Sequence, residues 1–158
     1  AGFLRERFGF RFLPDFDEGL WTKIKGQSDD RIRPLPKGLI TGSDMDRPAI
    51  KAATVNCRSL PDGGGIGLFK KDMHLLSGIE NSIVISNPPY GIRLKDDAGL
   101  DAFYKNLGDF LKKRCKGSDV YLFFGNRDMI KKIGLKPTWK KPMRNAGLDG
   151  RVVKYEMF

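Results

Sequence analysis

The sequence predicts an α/β protein with a largely parallel sheet finished by an antiparallel strand pair, and three observations carry that expectation. Ser82-Ile83-Val84-Ile85-Ser86 is apolar and β-branched almost throughout, the pattern of a central parallel strand covered on both faces. The run stops at Asn87-Pro88-Pro89-Tyr90, because two prolines without N–H donors and with fixed φ cannot continue a ladder. Further on, Leu100, Phe103, Tyr104, Leu107, Phe110 and Leu111 recur at intervals of three and four, the core-facing stripe of an amphipathic helix. Short apolar runs alternate with helical patterns along the chain until its final stretch, where apolar and charged residues alternate instead.

Taken in order, residues 1–13 are aromatic and basic, with Phe3, Phe8, Phe10 and Phe12 at irregular spacing, and read as the tail of a helix and a linker. Asp15 is expected to cap a helix whose apolar positions are Phe16, Leu20, Trp21 and Ile24, with Trp21 as a core anchor. Pro34 and Pro36 end the polar stretch that follows. Leu39-Ile40-Thr41 is a short strand stopping at Gly42-Ser43-Asp44. A helix then runs from Arg47 or Pro48 to about Cys57, with Pro48 tolerated in the first turn and Asp46 acting mainly as N-cap. Asp62-Gly63-Gly64-Gly65-Ile66-Gly67 superficially fits a G-x-G-x-x-G fragment, but a cofactor cradle of that kind must follow the first strand and open a helix. This cluster instead precedes a strand, Gly67-Leu68-Phe69-Lys70, and reads as a flexible turn. Beyond the amphipathic helix, which Gly117 closes, come a strand over Val120-Tyr121-Leu122-Phe123-Phe124 and a short helix through Ile130 and Ile133. Residues 135–140 and 151–155 form the terminal antiparallel pair.

At 158 residues and 40% hydrophobic content, the chain reads as a single domain, 1–158, with one substantial core. Cys57 and Cys115 lie far apart in helical patterns and lack metal-ligand spacing. Packed thiols in a reducing, cytoplasmic compartment are expected, with no metal. The sequence contains no signal-peptide pattern and no apolar run of the roughly eighteen residues that a membrane span needs. A net charge of +10 points to a polyanionic partner, since Lys and Arg gain affinity by releasing counterions from phosphates. The positive residues concentrate in the last third, at Lys112-Lys113-Arg114, Lys116, Lys131-Lys132, Lys136 and Lys140-Lys141 to Arg144. RNA is the expected partner.

The loop after Ile85 offers narrow chemistry. It lies at the carboxyl end of a strand, where open α/β sheets bind ligands. Asn87 supplies a side-chain carbonyl acceptor, the Pro88 carbonyl a second one, and Tyr90 a flat ring. Together they suit a planar group with an exocyclic amine: two acceptors take the amine hydrogens and the ring stacks on the face. Drawing on those hydrogens localises the nitrogen lone pair and makes it a nucleophile without a strong base, which is a mechanism for amino-group methylation. His74, the sole histidine, has no triad partners within sequence reach and is not expected to be catalytic.

Asn-Pro-Pro-Tyr after an apolar strand resembles the signature of S-adenosylmethionine-dependent methyltransferases acting on exocyclic amines of adenine or guanine, or on glutamine amides. Three further motifs accompany it: Gly42-Ser43-Asp44-Met45-Asp46, the continuation Gly91-Ile92-Arg93-Leu94, and Gly134-Leu135-Lys136-Pro137 ahead of Asn145-Ala146-Gly147-Leu148-Asp149. With them, the chain from Phe8 to Tyr155 resembles the catalytic domain of bacterial 23S rRNA guanine-N2 methyltransferases. Members of that family are often labelled N6-adenine-specific DNA methylases.

The resemblance implies a Rossmann-like class I methyltransferase sheet, S-adenosylmethionine as cofactor and a guanine N2 amine in 23S rRNA as target. Asn87, Pro88, Pro89 and Tyr90 would be catalytic. An acidic residue closing the second strand is placed to hold the cofactor ribose, which makes Asp44 and Asp46 candidates, and the resemblance puts Asp44 ahead, while Asp72 and Met73 would hold the adenine. Arg93 would contact a phosphate beside a flipped base, and Lys140, Lys141 and Arg144 would bind the RNA backbone. One departure stands out: family members carry an acidic, glycine-rich loop after their first strand, and this sequence has none. Beginning at Ala1, the chain is therefore read as an amino-terminally truncated domain whose missing part is itself a partner. Alternatives are an N6-adenine DNA methyltransferase, for which the chain lacks room for a target-recognition region, and a glutamine methyltransferase of release factors, which the basic charge disfavours. A catalytically inactive RNA-binding fragment is the third.

Overall fold

The computed structural model describes residues 7–89, 97–145 and 147–158. Two compact units divide the chain, Ala1–Asp72 and Met73–Phe158.

In the first unit, helix α1 (Glu18–Asp29) starts at Asp17, whose carboxylate accepts the Leu20 N–H at 2.9 Å. The cap is thus Asp17, not the expected Asp15. Strand β1 (Thr41–Asp44) leads into helix α2 (Arg47–Arg58), and strand β2 (Gly67–Lys70) pairs parallel to β1, with Thr41 opposite Gly67 and Asp44 opposite Lys70. Asp46 caps α2 by accepting the Ala49 N–H at 3.3 Å, and Pro48 sits in its first turn, both as the sequence suggests. Phe8, Phe10, Phe16 and Trp21 form a ring cluster with centroids 5.0–5.9 Å apart. Residues 9–12 form a 3-10 turn within that cluster rather than a linker.

The glycine run is a packed turn at Gly63. Gly63–Gly65 forms a 3-10 turn, and Gly63 is buried so closely against the Cys57 carbonyl that a Cβ there has no room. Glycine is needed here for close backbone approach, with Asp62 taking a φ of 54° to enter the turn.

The second unit carries a four-stranded sheet in the order β3-β4-β6-β5, made of β3 (Ile83–Ser86), β4 (Asp119–Phe124), β5 (Trp139–Asn145) and β6 (Leu148–Glu156). β3 and β4 are parallel; β4–β6 and β5–β6 are antiparallel, the expected mixture. The terminal pair is a tighter hairpin than the sequence suggests, beginning at Trp139 rather than residue 135. Pro142 falls in the edge strand β5, where a missing ladder donor is tolerated.

Helix α3 (Asp97–Arg114) and the short helix α4 (Met129–Lys132) cover one face. Leu100, Tyr104, Leu107, Phe110 and Leu111 of α3 are buried with Val120, Leu122 and Phe124 of β4 and Val153 and Tyr155 of β6 in one core. The helical stripe read from the sequence is this core, with Phe103 packed at its margin. Gly108 lets α3 approach the Ile133 carbonyl just past α4. Cys115 is buried and Cys57 half-buried, and both are free thiols.

One expectation fails. β3 is the edge of its sheet, and Ile83 and Ile85 are 71% and 78% exposed. Only Val84 faces the core cluster. A run of β-branched residues shows that a strand is built to be covered on both faces, but not which segment covers it; among the described residues no strand pairs with its outer edge.

Candidate active site

The Asn-Pro-Pro loop leaves the carboxyl end of β3, beside its parallel neighbour β4, with Ser86 opposite Leu122. Asn87 is exposed, Pro88 is buried and Pro89 is exposed. Neither proline can donate a backbone hydrogen bond, so this segment is anchored by packing and through its carbonyls. One such anchor comes from α3: the Tyr104 hydroxyl donates to the Pro89 carbonyl at 3.0 Å. Tyr104 is fully buried, stacked on Phe124 at 5.5 Å and edge-on to Phe103 at 5.6 Å. Sequence reasoning placed Tyr104 in the core and missed its hydroxyl. The available signal was general: a buried tyrosine usually finds a partner for its O–H. Tyr90 and Arg93 lie outside the described residues.

Asp44 and Asp72 belong to the first unit, at the carboxyl end of its parallel strand pair. The Asp44 carbonyl accepts the Lys71 N–H at 3.0 Å, which holds the ends of β1 and β2 side by side, and Asp72 follows directly. The exposed Asp44 carboxylate turns one oxygen, Oδ1, onto the Asp46 N–H at 2.7 Å, which fixes its direction at the strand end. An exposed carboxylate held there fits the diol of a nucleoside, since both hydroxyls can donate to it. No glycine cradle for the rest of such a cofactor occurs among the described residues: the packed turn at Gly63 is filled by backbone, and β2 follows it where a helix should open. Met73 opens a 3-10 turn of the second unit and is half-buried against that unit's core.

The basic residues of β5 do not form one patch. Lys140 and Arg144 point to one face of the strand and Lys141 to the other, with Trp139, because side chains alternate. The Lys141 ammonium lies 4.8 Å from the Trp139 ring centre, and Tyr121 of β4 packs beside that ring at 5.9 Å. The basic segment therefore has an aromatic neighbour that its sequence spacing did not bring out. On the same face, Lys154 reaches Glu156 at 2.8 Å and Asp119 at 3.1 Å; these bonds, that to Glu156 foremost, raise its pKa above the ordinary lysine value. Burial pushes up the Cys115 thiol. It does the same to the Tyr155 phenol, with a smaller contribution from Tyr104. Among the described residues the Tyr155 hydroxyl has no hydrogen-bond partner. Among the described residues, no group of three or more His, Cys, Asp or Glu could hold a metal, and no helix is long and apolar enough to cross a membrane.

Comparison with known proteins bears on the fold and the family. The chain is 34% identical over 152 residues to slr0064 of Synechocystis, whose name assigns it provisionally to the RNA methyltransferases; the match covers 96% of this chain and 40% of that protein. Among solved structures, it superposes on SMU.472, a provisionally assigned methyltransferase in complex with SAH, with a TM-score of 0.78 and 27% identity, covering 99% of this chain and 41% of that one. A possible methylase from Clostridium difficile 630 gives a TM-score of 0.77 at 26% identity, covering 98% of this chain and 41% of the other. The chain thus spans about two fifths of the length of these relatives. The model of the UPF0020 family, described as RMKL-like, methyltransferase domain, matches residues 1–154, and the chain belongs to that family.

Proposed function

We propose that the whole protein is an S-adenosylmethionine-dependent methyltransferase whose target is the N2 amine of a guanine in 23S rRNA, and that it works in the cytoplasm. The observation that carries this reading is the rigid Asn-Pro-Pro loop at the carboxyl end of a parallel strand, in a chain of a methyltransferase-domain family. The SAH bound to a structural relative supports the choice of cofactor, and the name of the Synechocystis relative supports RNA as substrate.

S-adenosylmethionine supplies an electrophilic methyl group on a sulfonium. The chain's own residues present the nucleophile. Asn87 accepts one amine N–H through its side-chain carbonyl and the Pro88 carbonyl accepts the other, so the lone pair turns out of conjugation with the purine. Tyr90 stacks on the base. A guanine within a helix must be flipped out, or lie in an open loop, to reach this site. Asp44 would accept the cofactor ribose hydroxyls, Asp72 would accept its adenine amine, and Met73 would cover the adenine. Arg93, Lys140, Lys141 and Arg144 hold phosphates. The chain spans about two fifths of its relatives' length, and the glycine-rich cradle for the methionine moiety would come from the part of the whole protein beyond these 158 residues; among the described residues the outer edge of β3 is open to a further strand.

The test is transfer of tritiated methyl groups by the whole protein to protein-free 23S rRNA and to oligoribonucleotides whose only amine-bearing purine is guanine or adenine. Transfer to the guanine substrates alone is expected. Transfer to adenine alone would replace the target, and no transfer to any of them would favour an inactive RNA-binding protein.

A further inference from the structure

Pro88-Pro89 is a stretch in which the backbone has no N–H to donate, so the loop cannot be held by the hydrogen bonds that fix most strand-end turns. Its carbonyls are the available handles. One handle is taken by a side chain from the next helix: Tyr104, fifteen residues on and fully buried, donates its O–H to the Pro89 carbonyl at 3.0 Å. The donor is itself rigid. Its ring is clamped between Phe124, stacked at 5.5 Å, and Phe103, perpendicular at 5.6 Å. Its helix is seated on the core through Leu100, Leu107, Phe110 and Leu111.

We infer that Tyr104 is a positioning residue for methyl transfer, setting the peptide plane after Pro89 and with it the direction of the two amine acceptors. This rests on the reading of Asn87 and the Pro88 carbonyl as those acceptors. A carbonyl oriented by a buried hydroxyl cannot swing, so the peptide it belongs to is fixed at one end while the fixed φ of two prolines stiffens the other. The bond also divides the labour among the loop's oxygens. The Pro89 carbonyl is occupied by a donor of the protein and faces α3, which leaves Asn87 and Pro88 to meet the substrate. Tyr104 touches no reacting atom; it acts through the loop.

The experiment compares the whole protein with Tyr104→Phe, which removes the hydroxyl and keeps the ring packed, and with Ile130→Val, a mild truncation of the same core on α4 that leaves the Tyr104 hydroxyl in place. Labelling proline carbonyl carbons with 13C and tyrosine nitrogens with 15N singles out Pro-Tyr peptide bonds, and Pro89-Tyr90 is the one such pair in these 158 residues. Tyr104→Phe is expected to move the Pro89 carbonyl resonance upfield, as loss of a hydrogen bond does, while Ile130→Val leaves it in place. With S-adenosylmethionine and protein-free 23S rRNA, Tyr104→Phe should lower kcat about tenfold or more and leave KM for S-adenosylmethionine within about twofold, the signature of misaligned reacting groups rather than lost binding. Ile130→Val should retain kcat at a comparable loss of melting temperature. An unmoved Pro89 resonance overturns the proposal, and so does a kcat that falls equally in both variants. If Asn87→Ala also leaves methyl transfer intact, the reading of the loop as the amine site fails and Tyr104 loses its role with it; if Asn87→Ala abolishes transfer while Tyr104→Phe does not, only the positioning role fails.

Discussion

Gly108→Ala tests how the core sets the geometry of the loop. Helix propensity alone favours alanine over glycine by about 1 kcal/mol in a helix interior. Packing opposes it. Gly108 is buried in the middle of α3, and a Cβ there would fall well inside contact distance of the Ile133 carbonyl oxygen, with the Ile133 carbonyl carbon at 3.0 Å and Cγ1 at 3.2 Å. The obstacle is backbone, which moves only if α4 and the turn after it move as a unit. Overpacking of this kind costs about 1–3 kcal/mol, and a backbone obstacle belongs at the upper end. Taking about 3 kcal/mol for the clash against about 1 for propensity leaves a net destabilisation of about 2 kcal/mol. In a chain of this size that lowers the melting temperature by about 4–8 °C. The residue lies one turn beyond Tyr104 on the same face of α3, so the helix that yields is the one holding the Pro89 carbonyl. Thermal and urea unfolding followed by circular dichroism measure the stability, and the proline-carbonyl resonance measures the loop. A variant as stable as the parent, or more so, would refute the reasoning, because propensity would then outweigh the contact.

Four further outcomes are expected. Asn87→Ala in the whole protein lowers kcat by the equivalent of about 2–4 kcal/mol, roughly 30- to 1000-fold, and leaves RNA affinity nearly unchanged in a filter-binding assay; an unchanged kcat with weaker RNA binding would reassign it. Tyr155→Phe raises stability by about 1 kcal/mol in urea titration at neutral pH, since it removes a buried hydroxyl with no partner among the described residues. That variant also loses part of an alkaline slope. The folded phenol keeps its proton above the usual tyrosine value of about 10 and the unfolded one does not, so stability falls as pH rises past that point; the Cys115 thiol and the Lys154 ammonium, both raised, leave a slope of the same sign in the variant. Lys141→Gln and the pair Lys140→Gln with Arg144→Gln occupy opposite faces of β5, so phosphate contacts by all three require RNA to wrap the strand, and each set should flatten the salt dependence of RNA binding by about 0.7 per contact on a single strand; an effect from one set alone would confine the RNA to that face. Calorimetry on the 158-residue chain should show weak or no binding of S-adenosylmethionine, because its glycine turn is filled by the Cys57 backbone; low-micromolar affinity would contradict this.

Local chemistry was legible in the amino-acid order. Pro88 and Pro89 must stop a strand whatever surrounds them, Asp46 ahead of Pro48 must begin a helix, and the three-and-four spacing from Leu100 to Leu111 must bury one side of another; the structure contains each. These follow from covalent geometry and helical periodicity, which act over a few residues. Three features needed the tertiary structure. Ile83-Val84-Ile85 marks a strand, but its edge position depends on which strands pair with it. Asp17 outcompetes Asp15 as cap because the entry of the chain into α1, and not residue type, decides which carboxylate meets a free N–H. Lys140, Lys141 and Arg144 fall within one short stretch of sequence, yet a strand sends neighbours to opposite faces and sets Lys141 on Trp139. The bond from Tyr104 to Pro89 belongs with these: it joins a loop and a helix face whose distance is set by how closely α3 packs on β4 and β6, a property of the assembled core that no local pattern encodes.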